Sequence, residues 1–314
     1  MKFFKGITLA IGISLLIFMI FLVGPDDLMR SIRGLNPVFL GLAFLVQQLD
    51  VLADAARYKC LFNSVAKRIS FLFIYRACMV SWVLRVILPI KVSDFALSIF
   101  LRIKGVSYAR STSAISLDFM LSFLGLAGFA TIGIFVYVGL LESLLFLSIA
   151  CLIFSVSLFV LTRDRRILPH RFLHFKDVDT RIITRTIRTM LVRHKDAVFT
   201  NLSFNVLNWT LTHAVLFFLL IASGAEVDFF SVFLVNSITT IISLLPITPG
   251  SIGVKEASGS FLLSHFLGVP LIIAVNSMVV LRLLEIITAL LYYASTHHML
   301  EEKYRWLIRR KKQG

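Results

Sequence analysis

The chain is built of long apolar runs separated by short polar stretches. Six runs are uninterrupted: 6–24, 37–56, 111–138, 142–161, 198–222 and 270–295. Each reaches or exceeds about 18 residues, the length that crosses ~30 Å of hydrocarbon as a helix. Two further runs, 71–103 and 229–266, are apolar in both arms but broken in the middle, at "LPIKVSD" and "LPITPGSIGVKE". Pro89, Pro246 and Pro249 each remove a backbone donor there, and Gly250 and Gly253 loosen the chain beside them. The pattern predicts an all-α polytopic membrane protein with six transmembrane helices and two re-entrant helical hairpins.

If each broken run returns to the side it left, the order span, span, hairpin, span occurs twice. It occupies 1–138 starting inside and 142–295 starting outside, which is an inverted-topology repeat of the kind found in secondary transporters. Both breaks open with Leu-Pro-Ile, at Leu88–Ile90 and Leu245–Ile247, and an acid follows each, Asp94 and Glu256. A basic loop at 163–196 links the halves, and a basic tail follows at 296–314. Under this topology twenty-five lysines and arginines fall on the side of the N-terminus and two, Arg30 and Arg33, on the other. That asymmetry makes both termini cytoplasmic in an inner membrane. Within the loop, Ile182, Ile183, Ile187 and Leu191 share one helical face ringed by Arg181, Arg185 and Arg188, as in an amphipathic helix lying on an anionic leaflet.

Composition narrows the functions. Of 314 residues 58% are hydrophobic and 16% charged, leaving no stretch for a soluble catalytic domain. The net charge of +15 would point to nucleic acid in a soluble protein. Here it sits in short loops, so the expected partners are anionic inner-leaflet lipids and no nucleic acid. Cys60, Cys78 and Cys151 are scattered and read as buried free thiols. The basic N-terminus lacks a small-residue cleavage site, so the first run is read as a retained span. His170 and His174 are four apart without further ligands, and "GSIGVK" lacks the spacing of a phosphate loop. No Ser/His/Asp or Cys/His constellation stands out. Neither enzymatic activity nor a metal or cofactor is therefore expected.

The candidate chemistry lies in charges at membrane depth, where an ionisable side chain is costly. Arg85, Lys91 and Asp94 surround the first break, and Lys255 and Glu256 the second. Asp118, Arg282 and Glu285 lie on the following spans, Arg282 and Glu285 spaced to pair. Four cations and four acids make a roughly neutral interior. A hairpin tip also leaves a helix N-terminus whose free amides attract anions. Asp50, Asp54 and Arg57, at the inner end of the second span, read as interfacial pairs.

The stretch "LPITPGSIGVKE" resembles the proline–proline–glycine…glycine…glutamate signature of the lysylphosphatidylglycerol synthase transmembrane, or flippase-like, family. "LPIKVSDFALSIFLRIKGVSYARSTSAISLDF" is similar to its Pro-x-Arg-x-Gly-Asp block and the acidic span after it. Lys91 stands where the family often has arginine, Ser93 where it often has glycine, and Ser251 at the second glycine of Pro-Gly-Gly. Asp118 matches the family's acid without its usual Glu-Arg neighbours. The resemblance spans essentially the whole chain. It implies movement of a phospholipid or polyprenyl-linked lipid between leaflets, without synthesis of that lipid. Lys91, Lys255 and Arg282 would then hold the phosphate. Asp94, Asp118, Glu256 and Glu285 would pair with these cations or carry a coupling proton. A transporter of a small soluble anion and an accessory subunit of a lipid-modifying or glycosyl-transferring enzyme are the alternatives, and a homo-oligomer stays open.

Overall fold

A computed structural model describes residues 2–66, 69–86, 88, 93–162, 180–245 and 247–311, with only the backbone course for 2–9, 180 and 298–311. The described residues are helical, with no strand among them. In chain order the helices are α1 (Lys2–Val23), α2 (Pro25–Arg33), α3 (Pro37–Val65), α4 (Phe71–Arg85), α5 (Ala96–Ile103), α6 (Tyr108–Tyr137), α7 (Leu140–Thr162), α8 (Thr180–Arg193), α9 (Lys195–Ala222), α10 (Phe229–Leu244), α11 (Val254–Leu267) and α12 (Leu271–Lys311). Each uninterrupted apolar run lies within one helix to within a residue at its ends. Five helices, α3, α6, α7, α9 and α12, are long and apolar enough to cross a membrane, and α1 with α2 makes a sixth if the pair, bent by 82°, is one span. This is a membrane protein with several apolar helices.

Local signals set the ends. Asn36 caps α3 by accepting from the Val38 amide at 3.0 Å, ahead of Pro37 at the first helical position. Asp228 caps α10 in the same way through Ser231, also at 3.0 Å. α2 was not anticipated; its nine residues are too few and too polar to register as an apolar run, and only Leu28 is buried.

Both broken runs begin and end at one end of the bundle. Residues 64–66, ahead of α4, and 104–107, after α5, line one groove. At the opposite end, Asn36 donates to the Ala222 carbonyl at 2.9 Å, and Asn276 reaches Ser31 and Ser223 at 2.8 and 3.4 Å. α10 starts and α11 finishes beside these contacts.

The second break packs tightly. Gly250 has φ +59 and Gly253 φ +79, a region that favours glycine. A Cβ on Gly250 would collide with the Val86 carbonyl at the end of α4, and one on Gly253 with the Gly12 carbonyl in α1. Ser251 also has positive φ, +55, and is held there as its hydroxyl donates to the Ser243 carbonyl at 2.7 Å. This explains physically why the resemblance places glycine at that position.

Two expectations change. α8 does not present its apolar face to a leaflet: Ile183, Ile187 and Met190 are buried in the core formed with Tyr58, Leu61 and Ala114, while Ile182 is exposed. The Ser113 hydroxyl also reaches the Ile183 carbonyl at 3.4 Å. The apolar stripe is thus satisfied by protein. The three cysteines are free, but only Cys78 is buried; Cys60 is half-buried and Cys151 is exposed on α7, which buries only Ser143 and Ala150. Lys91, Pro89, Pro246, His170 and His174 lie outside the described residues.

Candidate functional site

Two charge networks, the first buried and the second half-buried, face each other across the bundle. The first centres on Arg57, 1% exposed. Its guanidinium holds Asp54 at 2.7 Å and Asp118 of α6 at 3.2 Å. It also donates to Asn205 at 2.7 Å, with Asn208 and Ser122 at 3.3 and 3.4 Å. Asn201 donates to Asp118 at 2.8 Å, and Asn208 and Thr212 donate to Asp50 at 2.7 and 3.2 Å. Arg85 extends the network by bridging Asp54 at 3.1 Å and Asp94 at 3.0 Å, and Ser81 also donates to Asp94.

This corrects the reading of Asp50, Asp54 and Arg57 as interfacial. α3 continues to Val65, well past the end of the apolar run, so these side chains lie inside the bundle. A sequence signal for them existed. Gln47, Asp50, Asp54 and Arg57 are spaced three, four and three apart, and Asn201, Asn205, Asn208 and Thr212 four, three and four apart. Each set forms one polar stripe on an otherwise apolar helix, and the two stripes face each other. The asparagines carry no charge and drew no notice in the sequence.

The second network joins α11 and α12. Arg282 pairs with Glu256 at 2.5 Å and with Glu285 at 3.1 Å, and Lys255 pairs with Glu285 at 2.5 Å. The expected Arg282–Glu285 pair is present. Lys255 does not pair with its neighbour Glu256; adjacent residues on a helix point apart, and each acid meets a cation from the other helix. The other oxygen of Glu256 accepts from the Gly253 amide at 2.7 Å, capping the first turn of α11. The anion-attracting helix end expected at this break is thus occupied by the chain's own carboxylate.

Between the networks lies a cavity of about 130 Å³. Four cations, Arg57, Arg85, Lys255 and Arg282, and three carboxylates, Asp50, Asp54 and Glu285, line it. Aromatic and apolar walls come from Trp82, Phe119, Phe123 and Leu281, and Gly250 brings the second break to its edge. Of the predicted residues, Lys255, Arg282 and Glu285 line the cavity; Asp94, Asp118 and Glu256 stand behind it as buried counter-ions. Several lining donors find no hydrogen-bond partner among the described residues, Gln47 Nε2, Trp82 Nε1, Arg85 Nε and Arg282 Nη2, against one lining acceptor, Gln47 Oε1. Each such buried donor costs roughly 1–3 kcal/mol. Together they make a site short of acceptor oxygens.

A family profile described as "Lysylphosphatidylglycerol synthase TM region" matches residues 7–292. The chain belongs to this family. Among curated proteins it is similar to a "UPF0104 membrane protein" of Archaeoglobus fulgidus, 27% identical over 291 residues that cover 83% of this chain and 86% of that protein. The match covers both charge networks and both interrupted runs. The cavity therefore lies within the family's shared membrane region and not in an appended segment.

Proposed function

We propose that this member of the lysylphosphatidylglycerol synthase TM-region family moves a phospholipid or polyprenyl-linked lipid between the leaflets of the inner membrane. The observation that carries the reading is the cavity: four cations line it, unpartnered donors surround it, and it lies between spanning helices. Phosphate oxygens would satisfy those donors. At about 130 Å³ the space suits a headgroup but not acyl chains, which would trail between helices into the bilayer. Lys255 and Arg282 engage the phosphate by exchanging partners with Glu285 and Glu256. Arg85 exchanges likewise with Asp54 and Asp94, and Lys91 adds charge at the first break.

In this reading the protein is a transporter and not an enzyme. It has six spans and two re-entrant hairpins, 71–103 and 229–266, within inverted repeats 1–138 and 142–295, and both termini are cytoplasmic. Support for the hairpins comes from the ends of each broken run lying at one end of the bundle, the first run's at the end opposite to the second's. Support for the orientation comes from the charge asymmetry, which stays at twenty-four to two once Arg57 is counted as buried.

The rival is a carrier of a small soluble anion, because the cavity is small. Mass spectrometry of the gently purified protein separates the two. The lipid reading expects a phosphate-bearing lipid retained in near-equal amount and depleted by Arg282→Gln with Lys255→Met. Retention of a soluble anion, with lipid content unchanged in that variant, would favour the rival.

A further inference from the structure

A second polar site lies at the end of the bundle where α3 finishes and α6 begins. The turn at 104–107 and one side of α8 enclose with them a groove of about 820 Å³, within the size range of ligand pockets. Lys104, Arg110 and Arg185 line it with the hydroxyls of Ser107, Thr186 and Thr189, and no carboxylate is among its lining residues. None of the three cations has an ion-pair partner among the described residues. This contrasts with the central cavity, where every cation is matched by an acid.

The groove is also ordered. Lys104 Nζ sits 4.9 Å from the centre of the Phe73 ring, which positions it. Ser107 caps α6, accepting from the Arg110 amide at 3.4 Å, so the positive end of a long helix dipole adds to the cations. Apolar atoms of Val65 and Ile182 border the charges. Three cations with no acid partner among the described residues, hydroxyl donors and an apolar margin, at the level where spanning helices end, match the phosphate and glycerol region of a lipid.

We propose that this groove binds the phosphate of an anionic membrane lipid, selectively one ending in a phosphomonoester, at a site distinct from the translocation cavity. A phosphomonoester carries nearly two charges where a diester carries one, which three cations without an acid reward. The apolar packing of α8 belongs to the same site. With Ile187 and Met190 locked into the core, Arg185 and Thr186 are fixed on the groove wall instead of moving with a leaflet-bound helix. The inference does not depend on lipid transport.

The test is titration of the detergent-solubilised full chain with short-chain phosphatidic acid, short-chain phosphatidylglycerol and glycerol 3-phosphate, read as ligand-induced thermal stabilisation. Phosphatidic acid should bind at least about fivefold more tightly than phosphatidylglycerol, the worth of one added charge facing a basic surface. Arg110→Gln with Arg185→Gln should weaken it ~25-fold, at about fivefold per cation. All four cations used here are exposed, so folding should survive. Arg188→Gln with Arg193→Gln removes the same charge from α8 outside the groove and should change binding less than threefold. Equal losses in both double variants would reduce the effect to diffuse surface charge and overturn the site. Glycerol 3-phosphate binding as tightly as the lipid would overturn its assignment to a membrane headgroup, and equal affinity for the two lipids would overturn the phosphomonoester selectivity.

Discussion

Replacing Arg57 with methionine tests whether the first network is wired as the structure has it. Methionine retains much of the apolar stem but removes the guanidinium that holds Asp54 at 2.7 Å and Asp118 at 3.2 Å. The two acids are not left alike. Asp54 keeps Arg85 at 3.1 Å, whereas Asp118 loses its direct Arg57 pair and keeps the neutral Asn201 amide at 2.8 Å. Breaking a buried pair from one side costs about 3–5 kcal/mol, and with one acid still paired the lower half of that range applies. At about 2 °C per kcal/mol for a chain of this size, the melting temperature should fall roughly 6–8 °C. The assay is thermal exposure of Cys78, the buried thiol, to a fluorogenic maleimide after Cys60 and Cys151 are changed to serine. Adding Asp118→Asn to Arg57→Met removes one of the two carboxylates that lost Arg57 and should restore at least half of the loss. Adding Asp54→Asn should restore less. A single variant melting within 2 °C of the parent, or a better rescue by Asp54→Asn, would refute the wiring.

Gly250→Ala should destabilise the protein by at least about 2 kcal/mol, because positive φ and the Val86 carbonyl both oppose a Cβ; an unchanged melting temperature would mean that the break does not pack against α4. Single cysteines at Ser70 and Gly105, in a cysteine-free background, should both label from the cytoplasm only, and one at Glu226 from outside only. Labelling of Ser70 and Gly105 from opposite sides would make 71–103 a full crossing and end the hairpin reading.

Much of the architecture was legible because run length and membrane thickness are set by the same dimension. The six uninterrupted runs each became one helix, and Pro249, Gly250 and Gly253 of the second break marked a real turn. The site was legible only in part. Lys255, Arg282 and Glu285 stood out as charges in apolar surroundings and do line the cavity. Arg57 and Asp54 were misplaced because the apolar run ends at Ala56 while the helix runs on to Val65. Propensity and burial by neighbours, not hydropathy, carry those last turns. The asparagine stripe on α9 was hidden by its neutrality, though its spacing matches that of Gln47, Asp50 and Asp54 on α3. The partner of Glu256 was beyond the sequence, since pairing across α11 and α12 depends on how two helices cross.

The central claim is that the charged cavity conducts lipid across the bilayer, and transbilayer movement in vesicles tests it most directly. The protein, Glu256→Gln and Lys255→Met are each reconstituted with headgroup-labelled lipids placed in the outer leaflet, and the label that becomes inaccessible to an external quencher is followed over time. Glutamine at 256 can still accept from the Gly253 amide, so α11 stays capped while Arg282 loses a charged partner. Wild type should move label well above protein-free vesicles. Glu256→Gln should abolish most of that movement, and Lys255→Met should slow anionic lipid more than zwitterionic lipid. Wild type no faster than empty vesicles, or both variants moving every lipid at the wild-type rate, would contradict the account.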